Sequence, residues 1–215
     1  MNNCFLTILI IILLVHSELI SQNKYTNRGE KSYSVGIGLS RMKDITNVSL
    51  QYGFSDNGKI ALGAFGNYIS SQTRGGGFGF YFEGALIKPN ENCIIGINIL
   101  LSASINWYQT LHLSSNTYTG QAASFGGEFY IASQEVAIIP FVQFSRTYSK
   151  ISRDNAPKSV PINGLGLGFD ILLNSDSRPR AIITPGFLWT DQRNFIGAID
   201  VSFILIRNPI IKKNK

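Results

Sequence analysis

Apolar and polar residues alternate along most of the chain from Lys31 onward. The clearest stretch runs from Ile95 to Trp107, where the odd positions are apolar and the even positions are mostly small or polar. A period of two places successive side chains on opposite faces of a β-strand, whereas a helix face repeats about every 3.6 residues. No stretch after residue 22 favours an amphipathic helix. The alternation therefore predicts an all-β chain.

The number of alternating stretches is even, and short and longer connections alternate between them. One set of connections is short (55–58, 89–92, 133–135 and 174–179), and the other tends to be longer (41–45, 70–76, 109–119, 149–160 and 190–194). This rhythm is typical of a transmembrane antiparallel up-and-down β-barrel with short periplasmic turns and longer outer loops. We predict ten strands, with eight as the alternative. The predicted strands are 31–40, 46–54, 60–69, 77–87, 94–108, 120–132, 136–148, 161–173, 180–189 and 195–206.

Composition favours a barrel that faces lipid. Charged residues make up 15% of the chain, against about 25% in an average soluble domain. A strand of about ten residues, tilted by about 40°, rises about 25 Å, which is the height of the apolar band on such barrels. The alternative is a soluble secreted β-barrel or sandwich that binds an apolar ligand, because its strands would alternate in the same way.

The N-terminus carries the pattern of an export signal. Residues 5–15 contain only one polar side chain, Thr7, and a helix of this length covers about 16 Å, roughly half of a bilayer core. Such a run has the length of a signal-peptide core. We predict a signal peptide over 1–22, a short periplasmic segment over 23–30, the barrel over 31–206 and a basic tail over 207–215. An uncleaved anchor or a buried helix is the alternative for the first segment.

The net charge of +6 does not indicate nucleic-acid binding. The basic residues are scattered and do not interleave with aromatic residues on one face, as a nucleic-acid site requires. For an exported chain, we expect the charge to contact outer-membrane lipid and lipopolysaccharide. Loss of 1–22 would leave Cys93 as the only cysteine, which excludes an intramolecular disulfide in the processed chain.

Several local patterns resemble the small outer-membrane β-barrel (porin-like) proteins of Gram-negative bacteria. The patterns are the exported N-terminus, the run 164–170 (GLGLGFD), Ile139-Pro140-Phe141, the run 184–187 (TPGF) and the alternating last strand. The resemblance covers about residues 30–206 and implies an outer-membrane location, assembly by the outer-membrane machinery, and no cofactor. The chain departs from the pattern at its end, because the last strand is followed by Arg207, Pro209 and a Lys-rich tail instead of a terminal aromatic residue.

A recurring acid gives the predicted barrel a candidate lumen site. Glu83, Glu128 and Asp170 each precede three or four residues and then a turn, and Asp200 lies in a fourth strand of the same direction. A charge on the lipid face would be costly, so we expect these acids to form a layer in the periplasmic half of a plugged or very narrow lumen. Arg146 and Arg180 are the predicted counter-charges. The functional alternative is a constriction that prefers cations.

Catalytic and metal-binding patterns are weak. After signal cleavage His112 would be the only histidine, which excludes a multi-histidine metal site within one chain. His112 lies in a Ser-rich predicted loop, so the alternative is an outer-membrane lipid hydrolase that uses His112. We predict a non-catalytic protein that serves as a membrane scaffold, a surface protein or a narrow channel.

Overall fold

The computed structural model describes most of the predicted barrel. The predicted signal peptide over 1–22, His112 and the end of the basic tail lie outside the described residues. The side chains of Arg180 and of 151–160 also lie outside them. The described residues are 25, 30–42, 45–70, 73–89, 93–110, 117–132, 137–152, 158–173, 180–192 and 194–207.

The described chain folds into ten β-strands, and all ten predicted strands are confirmed. They are β1 (Lys31–Met42), β2 (Ile45–Asp56), β3 (Ile60–Ser70), β4 (Thr73–Ile87), β5 (Ile95–Thr110), β6 (Thr117–Ile131), β7 (Ile138–Ser152), β8 (Lys158–Leu173), β9 (Arg180–Thr190) and β10 (Phe195–Arg207).

The strands close into one antiparallel barrel in which each strand pairs with its neighbours in sequence. The seam is formed by β1 and β10, with Lys31 opposite Arg207 and Arg41 opposite Gly197. Because the strand number is even, β1 begins and β10 ends at the same end of the barrel. We call this end the termini end and the opposite end the far end. The described residues include no helix long and apolar enough to cross a membrane.

The barrel has an apolar outside and an inside that combines polar with apolar side chains. All ten strands expose large apolar side chains on the outer surface, among them Val35, Leu50, Phe80 and Trp189. Ser, Thr, Asn, Gln, Asp and Glu side chains are buried on the inner face. A soluble barrel would place its apolar side chains inside, and so large an exposed apolar surface is compatible with lipid but not with water. The fold is therefore a transmembrane barrel, and the soluble alternative is wrong.

The predicted difference in connection length is not seen. Three far-end connections shrink to 43–44, 71–72 and 153–157, because backbone pairing continues past the predicted strand ends. At the termini end, the turn after β2 contains Asn57 and Gly58 with φ of 58° and 59°. Asn and Gly adopt this left-handed conformation more readily than other residues, which explains the tight hairpin there.

Candidate functional site

The barrel interior holds the candidate site, and its most charged part is a set of four acids that we call the acid ring. The acids lie on β4, β6, β8 and β10, which are four of the five strands that run from the far end to the termini end. The strand period places each acid on the inner face. They are among the least exposed side chains of the barrel, with relative exposures of 1%, 2%, 2% and 4% for Glu83, Glu128, Asp170 and Asp200.

Neutral side chains on other strands donate hydrogen bonds to three of these acids. Thr184 on β9 donates its hydroxyl to Oδ1 of Asp170 at 2.7 Å. Asn98 on β5 donates its amide to Oε1 of Glu128 at 3.3 Å, and the two residues are direct cross-strand partners. A buried carboxyl group needs such donors because it has given up its contacts with water.

The third hydrogen bond joins two strands that are not neighbours in the sheet. Gln51 on β2 donates its amide to Oδ1 of Asp200 on β10 at 3.4 Å, although β1 lies between the two strands. Gly38 of β1 is opposite both Asp200 and Ser49 in the sheet. A Cβ atom at Gly38 would overlap Oδ1 of Asp200 and lie 2.6 Å from the Ser49 hydroxyl. The absence of a side chain at Gly38 therefore gives Gln51 and Asp200 room to meet.

The interior is filled by apolar side chains at the termini end. This cluster, which we call the apolar plug, joins the segment before β1 to strands β6, β7, β9 and β10. Its members are at most 5% exposed, and the partly buried Ala132, Phe141 and Leu172 pack against it. The plug consists of Tyr25, Tyr130, Ile139, Ile182, Ile204 and Ile206.

Tyrosine side chains link the apolar plug to the acid ring. Burial, reinforced by the neighbouring Asp170 carboxylate, raises the pKa of the Tyr25 hydroxyl well above its ordinary value. Tyr25 therefore remains a protonated phenol beside Asp170 at any physiological pH. Tyr130 lies within electrostatic range of both Glu83 and Glu128. The rings of both tyrosines pack in the apolar plug at the termini end.

The far half of the interior is lined by both neutral polar and apolar side chains. The buried apolar residues there are Ile45, Ile69, Ile162, Leu188 and Ile196. Asn67 donates to Oδ1 of Asn47 at 3.5 Å, and Asn47 donates to the Ser40 hydroxyl at 3.4 Å. On the other side, the hydroxyls of Ser124 and Thr147 lie 2.7 Å apart. The interior therefore combines polar and apolar side chains in its far half, and it holds the apolar plug at the termini end.

The two predicted counter-charges do not form a described pair with the acids. Arg146 lies on the exposed face of β7, because the inward positions of that strand are 139, 143, 145, 147 and 149. The prediction that Arg146 points into the lumen is therefore wrong. Arg180 begins β9, and its side chain is outside the described part. Among the side chains that the structure describes, no Lys or Arg is buried.

Two further arrangements of charged or metal-ligating residues bear on the site. No group of three or more His, Cys, Asp or Glu residues within it could hold a metal ion. The described ion pair between Lys31 and Asp56, with an N–O distance of 3.1 Å, lies on the exposed surface at the termini end.

Sequence reasoning missed the donors Gln51, Asn98 and Thr184, as well as Tyr25. Gln51 has a usable signal, because it lies five residues before the end of β2 in the same frame as the acids. Asn98 belongs to the polar set of the alternation in β5, together with Ser102, Ser104 and Asn106. Nothing in the local pattern around Tyr25 indicates that it packs inside the barrel, because its partners come from four distant strands.

Comparison with known proteins supports the fold and no finer assignment. No protein-family model and no curated protein sequence matches the chain. The translocator domain of autotransporter NalP from Neisseria meningitidis is similar in structure, with a TM-score of 0.56 at 6% sequence identity. The similarity covers 91% of this chain and 95% of that domain.

Two further solved structures match at lower scores. The β domain of the Bordetella autotransporter BrkA has a TM-score of 0.48 at 10% identity, covering 82% of this chain and 99% of that one. The N-terminal β-barrel domain of Pseudomonas aeruginosa OprF has a TM-score of 0.39 at 11% identity, covering 84% and 100%. The closed ten-strand topology, the apolar outer surface and the likeness to the NalP domain give this chain the fold of the outer-membrane β-barrels and support an outer-membrane location.

Proposed function

We propose that this protein is a non-catalytic outer-membrane scaffold whose barrel is closed to ion flow at its termini end. The apolar plug carries the proposal, because its side chains are at most 5% exposed and come from four strands and the segment before β1. A barrel of about eight strands is just wide enough for side chains to fill. Ten strands enclose slightly more space, and Tyr25 occupies part of it.

The acid ring has a structural role in this proposal. It lines an acidic lumen above the plug, and its hydrogen bonds to Gln51, Asn98 and Thr184 connect strands that are not all neighbours in the sheet. Buried polar groups that are fully hydrogen-bonded make a packed interior more specific. The acid ring therefore fixes the relative positions of the strands that its hydrogen bonds connect.

The partners in this proposal are outer-membrane lipid, lipopolysaccharide and the outer-membrane assembly machinery. The apolar outer surface supports contact with lipid on every strand. The polar far end of the barrel would then project from the membrane and present the far-end connections as the surface of the scaffold.

Conductance across a planar lipid bilayer tests the proposal directly. The purified, refolded protein should insert without producing stepwise currents at moderate voltage. Insertion is verified separately by protection of the barrel from protease in vesicles made of the same lipid. Stable single-channel currents from the unaltered protein would overturn the scaffold proposal.

The acid ring favours a narrow cation-preferring channel as the second candidate. Four buried acids in one lumen would attract cations and repel anions. The same bilayer recordings distinguish the two candidates, because a channel of this kind would shift its reversal potential toward that of the cation under a salt gradient. Replacement of Glu83 and Glu128 by Gln would then reduce that selectivity.

A further inference from the structure

Charged side chains on the outer surface lie toward both ends of the barrel, and those at the far end form a basic group. Four outward-facing cations lie there, and Asp191 is the one acid exposed there among the described residues. The cations come from β1, β4 and β7, so they are distributed around the barrel. We call this group the basic collar, and it consists of Arg41, Arg74, Arg146 and Lys150.

The densest part of the collar lies on β7. Arg146, Tyr148 and Lys150 occupy alternate positions and therefore share the outer face of the strand. At about 3.3 Å per residue, the two cations are separated by about 13 Å along the strand. The guanidinium carbon of Arg146 lies 5.3 Å from the centroid of the Tyr148 ring. This cation–π contact directs the guanidinium group toward the far end, away from the apolar surface.

Arg146 marks the edge of the apolar band. Toward the termini end, the outward positions of β7 are occupied by Phe144 and Val142. On the neighbouring strands, the residues opposite Arg146 are Phe125 and Asn163. Asn163 donates its amide to Oδ2 of Asp191 at 2.8 Å. At the level of Arg146 the outer surface is therefore polar on β7 and β8 and still apolar on β6. Such a change is expected near the edge of the hydrocarbon region.

Arginine at this level has a specific use. A charge on the lipid face is very costly at the bilayer midplane and nearly free at the interface. A guanidinium group presents a planar set of donors that matches two oxygens of a phosphate, and a lysine adds a second, more flexible charge. Tyr148, which is amphipathic, suits the boundary between headgroups and acyl chains.

The far end is the outer side of the membrane in this interpretation. The strands β6, β7 and β8 continue past the apolar band at the far end, where their exposed residues include Gln121, Lys150 and Asn163. At the termini end, the apolar positions extend to the strand ends, as at Ile131, Ile138 and Leu173. Outer-membrane barrels project farther on the outer side. The lipid phosphates at that level belong to the outer leaflet.

We propose that Arg146 and Lys150, with Tyr148 between them, form a binding site for the phosphate groups of a lipopolysaccharide molecule lying against β7. The charge of the collar is complementary to those phosphates. The exposed Phe144, next toward the termini end on β7, and the exposed Phe125, opposite Arg146, provide an apolar surface for the acyl chains. The proposal rests on the outer-membrane location and is independent of whether the lumen conducts.

The test compares lipopolysaccharide binding by two double variants of the full chain refolded in detergent. The first, Arg146→Ala with Lys150→Ala, removes the proposed site. The second, Lys31→Ala with Lys59→Ala, removes the same charge from the exposed surface at the termini end. Binding is measured as the rise in the thermal unfolding temperature on titration with purified lipopolysaccharide. We expect the far-end double variant to bind roughly tenfold more weakly or worse, because each basic contact contributes to the affinity, and the termini-end variant to match the unaltered protein.

Two further titrations distinguish lipopolysaccharide from other phosphate-bearing ligands. Inorganic phosphate should give no rise in unfolding temperature at concentrations where lipopolysaccharide does, and phosphatidylglycerol should give a smaller rise. An equal rise with phosphatidylglycerol would overturn the assignment to lipopolysaccharide. Unchanged lipopolysaccharide binding by the far-end double variant would overturn the site itself. Each variant's unfolding temperature without lipid shows that it has folded.

Discussion

A single glycine leaves room for one of the hydrogen bonds of the acid ring. Gly38 lies in the seam strand β1 between Gln51 and Asp200, where an added Cβ atom would overlap the Asp200 carboxylate. The residue therefore matters for the space that it leaves empty.

Gly38→Ala should lower the free energy of unfolding by about 1–3 kcal/mol, the usual cost of overpacking a close contact. Urea-dependent unfolding of the refolded protein in detergent, followed by tryptophan fluorescence, measures the change. Gly166→Ala is the matched control, because it also faces inward and its added Cβ would come no closer than 3.5 Å to Gln143. Equal stability of the two variants would contradict this explanation of Gly38.

Thr184→Val should also destabilise the barrel. The substitution keeps the shape of the side chain and removes the hydroxyl that donates to Asp170 at 2.7 Å. A hydrogen bond to an acidic group contributes about 1–3 kcal/mol, and its loss leaves a buried acceptor without that donor. Thr184→Ser retains the hydroxyl and should recover most of the loss in the same unfolding assay. If the Ser and Val variants were equally unstable, packing and not the hydrogen bond would explain the effect.

Among the elements, β7 shows the limit of pattern reading. Its apolar residues occupy successive positions, with Ile138 and Ile139 adjacent and Phe141 and Val142 adjacent, so the alternation alone does not decide which face is inward. The neighbouring strands decide it, because Gln143 is opposite the inward-facing Glu128 and Gly166. Arg146 therefore faces outward, and the predicted lumen charge was placed on the wrong face.

The segment before β1 acts as an element of the interior through one described residue. Tyr25→Ala should remove a large part of the apolar plug, since the ring packs among residues of β6, β7, β9 and β10. If the plug closes the barrel, this variant should show brief conductance steps in planar bilayers where the unaltered protein shows none.

Tyr33→Ala is the control for the plug variant, because Tyr33 is exposed on the outer surface beside Phe54. It removes the same atoms without touching the interior and should remain silent. A silent Tyr25→Ala variant that is correctly folded would show that Tyr25 is not needed to close the barrel.

At the scale of the whole molecule, the closed sheet predicts unusual resistance to detergent. Every described strand is paired on both sides, so no edge is available for stepwise opening. The protein from outer-membrane fractions should migrate faster on SDS gels before boiling than after it. A single mobility under both conditions, or recovery of the protein without detergent, would contradict an inserted barrel.

The strand number and the barrel were predictable from the sequence, because the period of two is a local property. Each strand has one face toward lipid and one toward the interior, so the two sets of side chains differ in polarity. The inward positions of Glu83 and Glu128 follow from the same period. The partners of these acids were not predictable, because Gln51 and Asp200 are joined through the closure of the sheet. Tyr25 was missed for the same reason, since burial of an isolated tyrosine depends on packing between distant strands.

The seam between β1 and β10 has a consequence for the order of folding. It joins the first and last strands, with Lys31 opposite Arg207. The two strands that are farthest apart in the sequence are therefore the pair that closes the barrel. Until it forms, both edge strands carry unpaired backbone amides and carbonyls, which cost several kcal/mol each in hydrocarbon. Contacts between distant segments form slowly because the loop entropy is lost first. Sealing of the seam should therefore be a late and slow step, and it must accompany entry into the bilayer and not follow it.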